Sequence, residues 1–163
     1  MSMTKKSNWN LGCSLTLVVV LAAIFFFNLW AQNLGKYTLQ PGQSVELKVF
    51  SKTEQREYNS ELIFLKKDEA KLKLSGRKGW GMKGSNTVYN VEKQSITEII
   101  ISKDGTEHRD LPNDKSKSIY LESDGIVVQG GIKEVFGVTE EDPYTITNVD
   151  DKPAHFEAQV VDR

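Results

Sequence analysis

The sequence predicts an all-β domain, a small antiparallel sandwich or barrel of about eight or nine short strands, preceded by one N-terminal transmembrane helix. Three observations carry that prediction. Apolar and polar residues alternate with period 2 through most of the chain after Tyr37, turn residues interrupt the alternation about every 8 to 12 positions, and a single long uncharged run, Leu11 to Ala31, stands before it. No long amphipathic helical pattern occurs in the alternating part.

The apolar run comes first in the chain. Its 21 residues reach about 32 Å as a helix, the thickness of a bilayer's hydrocarbon core. It is too long for the apolar stretch of a cleaved signal, which spans about 7 to 15 residues, and the one passable cleavage point, after Leu29-Trp30-Ala31, has a bulky ring in the recognition site. The reading is therefore an uncleaved signal anchor over 11–31. Trp9 and Trp30 flank it where amphipathic rings settle among headgroups, and Lys5 and Lys6 hold the short N-terminus, 1–10, in the cytoplasm. The rest of the chain then lies on the far side, in the periplasm or outside a bacterial inner membrane. Cys13 follows Leu11-Gly12, but a lipoprotein signal has its apolar stretch before the cysteine, not after it. No cysteine occurs beyond position 13, so the following domain holds neither a disulfide nor a thiolate site. The absence of any Asn-x-Ser/Thr acceptor is in keeping with a bacterial envelope.

Residues 32–36 read as a linker and 37–163 as the extracytoplasmic domain. Val45, Leu47 and Val49 alternate with Glu46 and Lys48 in the first clear strand, opened by the turn Pro41-Gly42. Glu61 to Lys67 and Ala70 to Ser75 read as a hairpin across Asp68-Glu69, with Ala70, Leu72 and Leu74 inward and Lys71 and Lys73 outward. Thr87 to Val91 and Ser95 to Ser102 follow. Asp104-Gly105 and Asp124-Gly125 signal tight hairpins, the second joining Ser118–Glu122 to Ile126–Gln129. Tyr144 to Val149 and His155 to Val161 make a last pair around Asp150 to Pro153. The expected core is Phe64, Ile99, Ile101, Ile119, Leu121, Val127, Ile146, Phe156, Ala158 and Val160.

Charge and motifs narrow the function. Lys and Arg number 21 against 22 Asp and Glu, a net charge of -1, so no basic field argues for nucleic acid. Gly79-Trp80-Gly81-Met82-Lys83-Gly84 has the glycine spacing of phosphate-wrapping loops, and His108-Arg109-Asp110-Leu111 has the opening of a kinase catalytic loop. A kinase needs a Val two places after the third Gly and an Asn five places after the Asp, where Asn86 and Lys115 stand here. A dinucleotide fold needs a helix after the glycines, and Asn86-Thr87-Val88-Tyr89 reads as strand. What remains is a glycine-rich connection, Gly76 to Gly84, carrying Arg77, Lys78, Lys83 and Trp80. It is either a hairpin loop whose ring folds back onto the core, or an exposed loop for a glycan, an anionic lipid headgroup or a partner protein.

Other candidates are weaker. His108 and Asp110 lack a third metal ligand, Glu140, Glu141 and Asp142 lack a calcium-loop pattern, and no Ser, His and acid stand in a nucleophile-elbow arrangement. The sequence thus predicts no cofactor, no metal and no catalytic residue. The expected function is that of a single-pass, membrane-anchored accessory subunit whose β-domain docks on other envelope or membrane-complex proteins, and not an enzyme. The alternatives are a ligand-binding module acting through 76–84 and an immunity or inhibitor protein of the envelope.

Overall fold

The computed structural model describes residues 7–48, 60–137 and 143–162 and, within its helix, the side chains of 16–29, 31 and 33. It divides into two compact units, Met1–Leu34 and Gly35–Arg163.

The first unit is one helix, α1 (Ser7–Asn33), longer at both ends than the apolar run, so the expected linker shrinks to Leu34 and Gly35. Leu17, Val18, Val19, Val20, Leu21, Ile24, Phe25, Phe26, Phe27 and Leu29 are all exposed, which places apolar side chains on every side of the cylinder. Asn28 and Asn33 turn their amides back onto the carbonyls of Ile24 and Leu29, both at 3.0 Å. Among the described residues no helix is long and apolar enough to cross a membrane; the unbroken described side chains, 16–29, make about 21 Å of helix.

The second unit is all-β, as the alternation requires, but its described residues form thirteen strands, four more than the expected maximum: β1 (Lys36–Leu39), β2 (Ser44–Leu47), β3 (Ser60–Lys66), β4 (Leu72–Ser75), β5 (Gly79–Met82), β6 (Thr87–Asn90), β7 (Ser95–Ser102), β8 (Gly105–Leu111), β9 (Ile119–Glu122), β10 (Gly125–Val128), β11 (Ile132–Gly137), β12 (Tyr144–Asn148) and β13 (Ala154–Asp162). β1, β5, β8 and β11 are the additions. Three of them are short or carry glycine, lysine or glutamate at positions an alternation would fill with apolar residues, and β8 is polar throughout but for Leu111.

The strands form two antiparallel sheets. One has the order β1-β13-β3-β11-β5-β6-β7-β8 and the other β2-β12-β4-β10-β9. Two expected hairpins are therefore corrected. β3 and β4 lie in different sheets, and so do β12 and β13, because the connections Lys67–Lys71 and Val149–Pro153 carry the chain from one layer to the other instead of folding it back. The hairpins at Asp104-Gly105 and Asp124-Gly125 are present, pairing Ser102 with Gly105 and Glu122 with Gly125. At Gly125 the demand for glycine comes from tertiary packing: a Cβ there would stand 2.2 Å from the carbonyl oxygen of Leu74 on β4.

The facing sides of the sheets enclose Leu62, Phe64, Trp80, Phe136, Phe156 and Ala158 against Leu72, Leu74, Ile119, Leu121, Ile126, Val128, Tyr144 and Ile146. Ala70, Leu72 and Leu74 point inward as expected. Val127 is buried outside that cluster, and Val160 packs against it only in part. Ile99 and Ile101 are not core: Ile101 is 73% exposed, and of the apolar residues of β7 and β8 Ile96 joins the core cluster and Leu111 packs against it in part.

The end of the sandwich where β3 stops is held by polar groups. Lys66 continues the inward register of Leu62 and Phe64 and is buried, with its Nζ 3.0 Å from Asp68 Oδ1 and donating to the carbonyls of Asp68 (2.6 Å) and Gly130 (2.9 Å). Asp68 in turn accepts from the amides of Ala70 (3.2 Å) and His155 (2.6 Å). Asn148, also buried, donates to Leu39 O (2.8 Å) and Lys152 O (2.7 Å) and accepts from the Asp150 amide (3.0 Å). These two residues tie the sheet-crossing connections together, where side-chain burial alone would leave backbone groups unpaired.

Candidate functional site

The Gly76–Gly84 connection contains strand β5, and the Trp80 ring on that strand lies in the core. Gly76 leaves β4 with φ +90°, and a Cβ on it would meet Pro143 O at 2.8 Å, so only glycine turns the chain here toward the other sheet. Arg77 is buried with its guanidinium 4.6 Å above the centre of the Tyr144 ring. Trp80, 1% exposed on β5, packs edge-on against Phe136 at 5.7 Å and tilted against Tyr144 at 5.2 Å. Trp80 Nε1 and Tyr144 Oη are buried with no hydrogen-bond partner among the described residues. Burial pushes the Tyr144 hydroxyl well above its ordinary range, although the Arg77 charge pulls it the other way.

Lys78 and Lys83 are the exposed members of the set, and both are in ion pairs. Lys78 pairs with Glu92 at 3.1 Å and Lys83 with the buried Glu61. The turn after β5 is fastened by Gly84, whose amide donates to Glu134 Oε1 at 3.0 Å. The basic character read from the sequence is thus neutralised by acids distant in the chain.

Arg77 and Lys78 nevertheless line an open cleft of about 600 Å³ at the end of the sandwich opposite Lys66. Its walls are the β4–β5 connection with Gly76, the β6–β7 turn with Val91, Glu92 and Gln94, and the β9–β10 turn with Ser123 and Asp124. Gln94, in the left-handed region at φ +50°, ties two of these turns by donating to Val91 O (2.7 Å) and Glu122 O (3.0 Å). Lys73 reaches both Asp124 and Glu122, the latter at 3.3 Å. The hydrogen bond to Asp124 raises the Lys73 ammonium and lowers the Asp124 carboxyl, so both stay charged at neutral pH. The cleft carries the Lys78 ammonium, the Glu92 and Asp124 carboxylates, the Gln94 amide and the Ser123 hydroxyl, a mixture of donors and acceptors, while the Arg77 guanidinium nitrogens are buried.

His108 and Asp110 are exposed on β8, two residues apart, and among the described residues no three His, Cys, Asp or Glu side chains gather at metal-binding distance. His155 Nδ1 is hydrogen-bonded to Thr38 Oγ1 at 3.0 Å. Lys5 and Lys6 lie outside the described residues, as do Glu140, Glu141 and Asp142, and Trp9 and Trp30 fall within α1. The sequence reading missed the buried Lys66 and Asp68 pair, which had one signal: a lysine in the i, i+2, i+4 series of Leu62 and Phe64.

Comparison of the chain with protein families, with curated proteins and with solved structures gives no match.

Proposed function

We propose that the chain is a single-pass, membrane-anchored accessory protein, non-enzymatic, whose β-domain docks on proteins of an envelope or membrane complex. The observation that carries this is the helix: its described side chains are apolar in every direction and exposed, as on a segment that faces lipid and unlike an amphipathic helix that covers a core. The back-bonded amide of Asn28 fits the same setting, where a polar group must find its partner within the helix. Counting the whole uncharged run Leu11–Ala31 gives the length a bilayer demands, and Lys5 and Lys6 favour a cytoplasmic N-terminus. A binding role is supported by the open cleft between the β4–β5, β6–β7 and β9–β10 connections. An immunity or inhibitor function is the special case in which docking covers a partner's active site.

The test is extraction of native membranes with alkaline carbonate. The full chain is expected to stay in the pellet, and residues 35–163 alone to stay in the supernatant as a folded domain; a full chain released by carbonate overturns the anchor. Crosslinking followed by mass spectrometry is expected to recover peptides from residues 1–31 together with a stoichiometric protein partner.

A second reading has the cleft in its favour: a module that binds a glycan between the β4–β5, β6–β7 and β9–β10 connections. An anionic lipid headgroup is less well served, since Lys78 and Lys83 are already paired with Glu92 and Glu61. On this reading Ser123→Trp, at an exposed turn position, fills the cleft and lowers glycan-array binding by at least about tenfold while changing stability by no more than about 0.5 kcal/mol. Unchanged binding would dismiss the cleft.

A further inference from the structure

β8 is the last strand of its sheet, and among the described residues no strand pairs with its outer edge. It is seven residues long, while the other terminal strands, β1, β2 and β9, have four each. Residues 105–110 are exposed on both faces. Such an edge is a template for another strand unless it is blunted.

The register of the β7–β8 hairpin shows which backbone groups are open. Ser102 pairs with Gly105 across the two-residue turn, and the Ile99 amide is spent on Asn86 O of the opposite neighbour at 2.8 Å. The even-numbered residues of β7 therefore bond to β8, and on β8 the odd-numbered residues 105, 107, 109 and 111 answer them. Thr106, His108 and Asp110 turn their amides and carbonyls outward.

The side chains of β8 are complementary to themselves. About His108 the sequence reads Thr106-Glu107-His108-Arg109-Asp110, with an acid on one side and a base on the other. A guard against pairing would carry like charges; here a two-fold axis at His108 sets opposite charges face to face. We propose that two copies of this chain join edge to edge through β8, antiparallel about His108, with Glu107 of each copy paired to Arg109 of the other. The outward backbone groups of His108 meet their own counterparts, and those of Thr106 meet Asp110 of the second copy. Glu107 and Arg109 fall in the non-hydrogen-bonded positions, where facing Cα atoms are about 4.5 Å apart and side chains interact most closely. Within each copy Arg109 already pairs with Glu98 on β7, so the guanidinium sits between two carboxylates and the sheet carries a charge ladder across the axis. The contact is narrow and the dimer correspondingly weak, which suits a trapping experiment.

This inference does not rest on the anchor: the dimer forms whether or not α1 lies in a bilayer, and the carbonate extraction above reads the anchor separately. The test uses the full chain with Cys13→Ser and single cysteines on β8, treated with the shortest bis-methanethiosulfonate reagent. His108→Cys brings two thiols together at the axis, from Cα atoms about 5.5 Å apart. Thr106→Cys places its two copies four residues apart along the pair, about 13 to 14 Å, beyond that reach. Crosslinked dimer is expected from His108→Cys at least about tenfold faster than from Thr106→Cys. In the His108→Cys background, Glu107→Lys alone or Arg109→Glu alone sets like charges face to face and lowers the yield about tenfold. Mixing those two chains restores it, because the ammonium introduced at position 107 of one copy then meets the carboxylate introduced at position 109 of the other, while the native Arg109 and Glu107 that remain face each other. Equal crosslinking at positions 106 and 108, no crosslinking at either, or no recovery on mixing overturns the proposal.

Discussion

Trp80→Ala will cost the β-domain about 3–5 kcal/mol, a loss on the order of 10–20 °C in melting temperature for a domain of this size. The indole is 1% exposed and bears on Phe136 and Tyr144 from both sheets, so truncation opens a cavity between layers that the surrounding strands cannot collapse to fill. An exposed ring poised for a ligand would give a change within about 0.5 kcal/mol. Trp80→Phe separates volume from polarity. It keeps most of the ring contact and removes a buried N–H that has no hydrogen-bond partner among the described residues, so its cost is expected below about 1.5 kcal/mol. Urea unfolding of residues 35–163, read by far-ultraviolet circular dichroism, measures both. A Trp80→Ala domain as stable as the parent would show that the ring does not hold the two sheets together.

Asp68→Ala will be nearly as damaging, at about 3–5 kcal/mol, whereas Lys66→Met will cost only about 1–2 kcal/mol. The asymmetry follows from burial. Removing the carboxylate leaves a buried ammonium without its counter-charge, while removing the ammonium leaves a half-buried carboxylate that still accepts two backbone amides. What Lys66→Met does expose is the pair of carbonyls, Asp68 O and Gly130 O, that lose their donor.

The same pair sets an acid limb of stability. Burial works to raise the Asp68 carboxyl, but the His155 amide, the Lys66 ammonium and the Ala70 amide outweigh it and hold the group below its ordinary 3.8. A carboxyl depressed in the fold contributes stability that is fully present above the unfolded value and is lost as pH falls through the folded value. The parent domain therefore weakens as pH drops below about 4, and Asp68→Ala flattens that slope. It does not erase it, since hydrogen bonds from Ser116, Lys73 and Asp151 hold Asp114, Asp124 and Asp150 low as well. Stability measured from pH 7 down to pH 2 checks the difference, and parallel curves for parent and variant would contradict the assignment.

The candidate site shows where reading along the chain stops short. Arg77, Lys78, Trp80 and Lys83 are close in sequence and stand out together there, yet they part company in the fold. The ring enters the core because β5 pairs with β6 on one side and with β11 on the other, and β11 has little alternation of its own to announce it. The two lysines are neutralised by Glu61 and Glu92, one upstream by 22 residues and one beyond the next two strands. The cleft needs Ser123 and Asp124 from a hairpin more than forty positions away. None of these partners has a local signature.

The all-β class, the apolar helix and the hairpins at Asp104-Gly105 and Asp124-Gly125 were legible in the sequence, because period-2 alternation, continuous apolarity and turn chemistry each act within a few residues. Which strands share a sheet was decided only by the tertiary structure. Lys67–Lys71 and Val149–Pro153 look like hairpin turns and instead cross between layers, for the reason that Lys66, Asp68 and Asn148 satisfy the backbone of those crossings from distant elements. Ile99 and Ile101 carry a core-like pattern and still lie outside the core, since a strand's periodicity says which residues share a face and not what, if anything, covers that face.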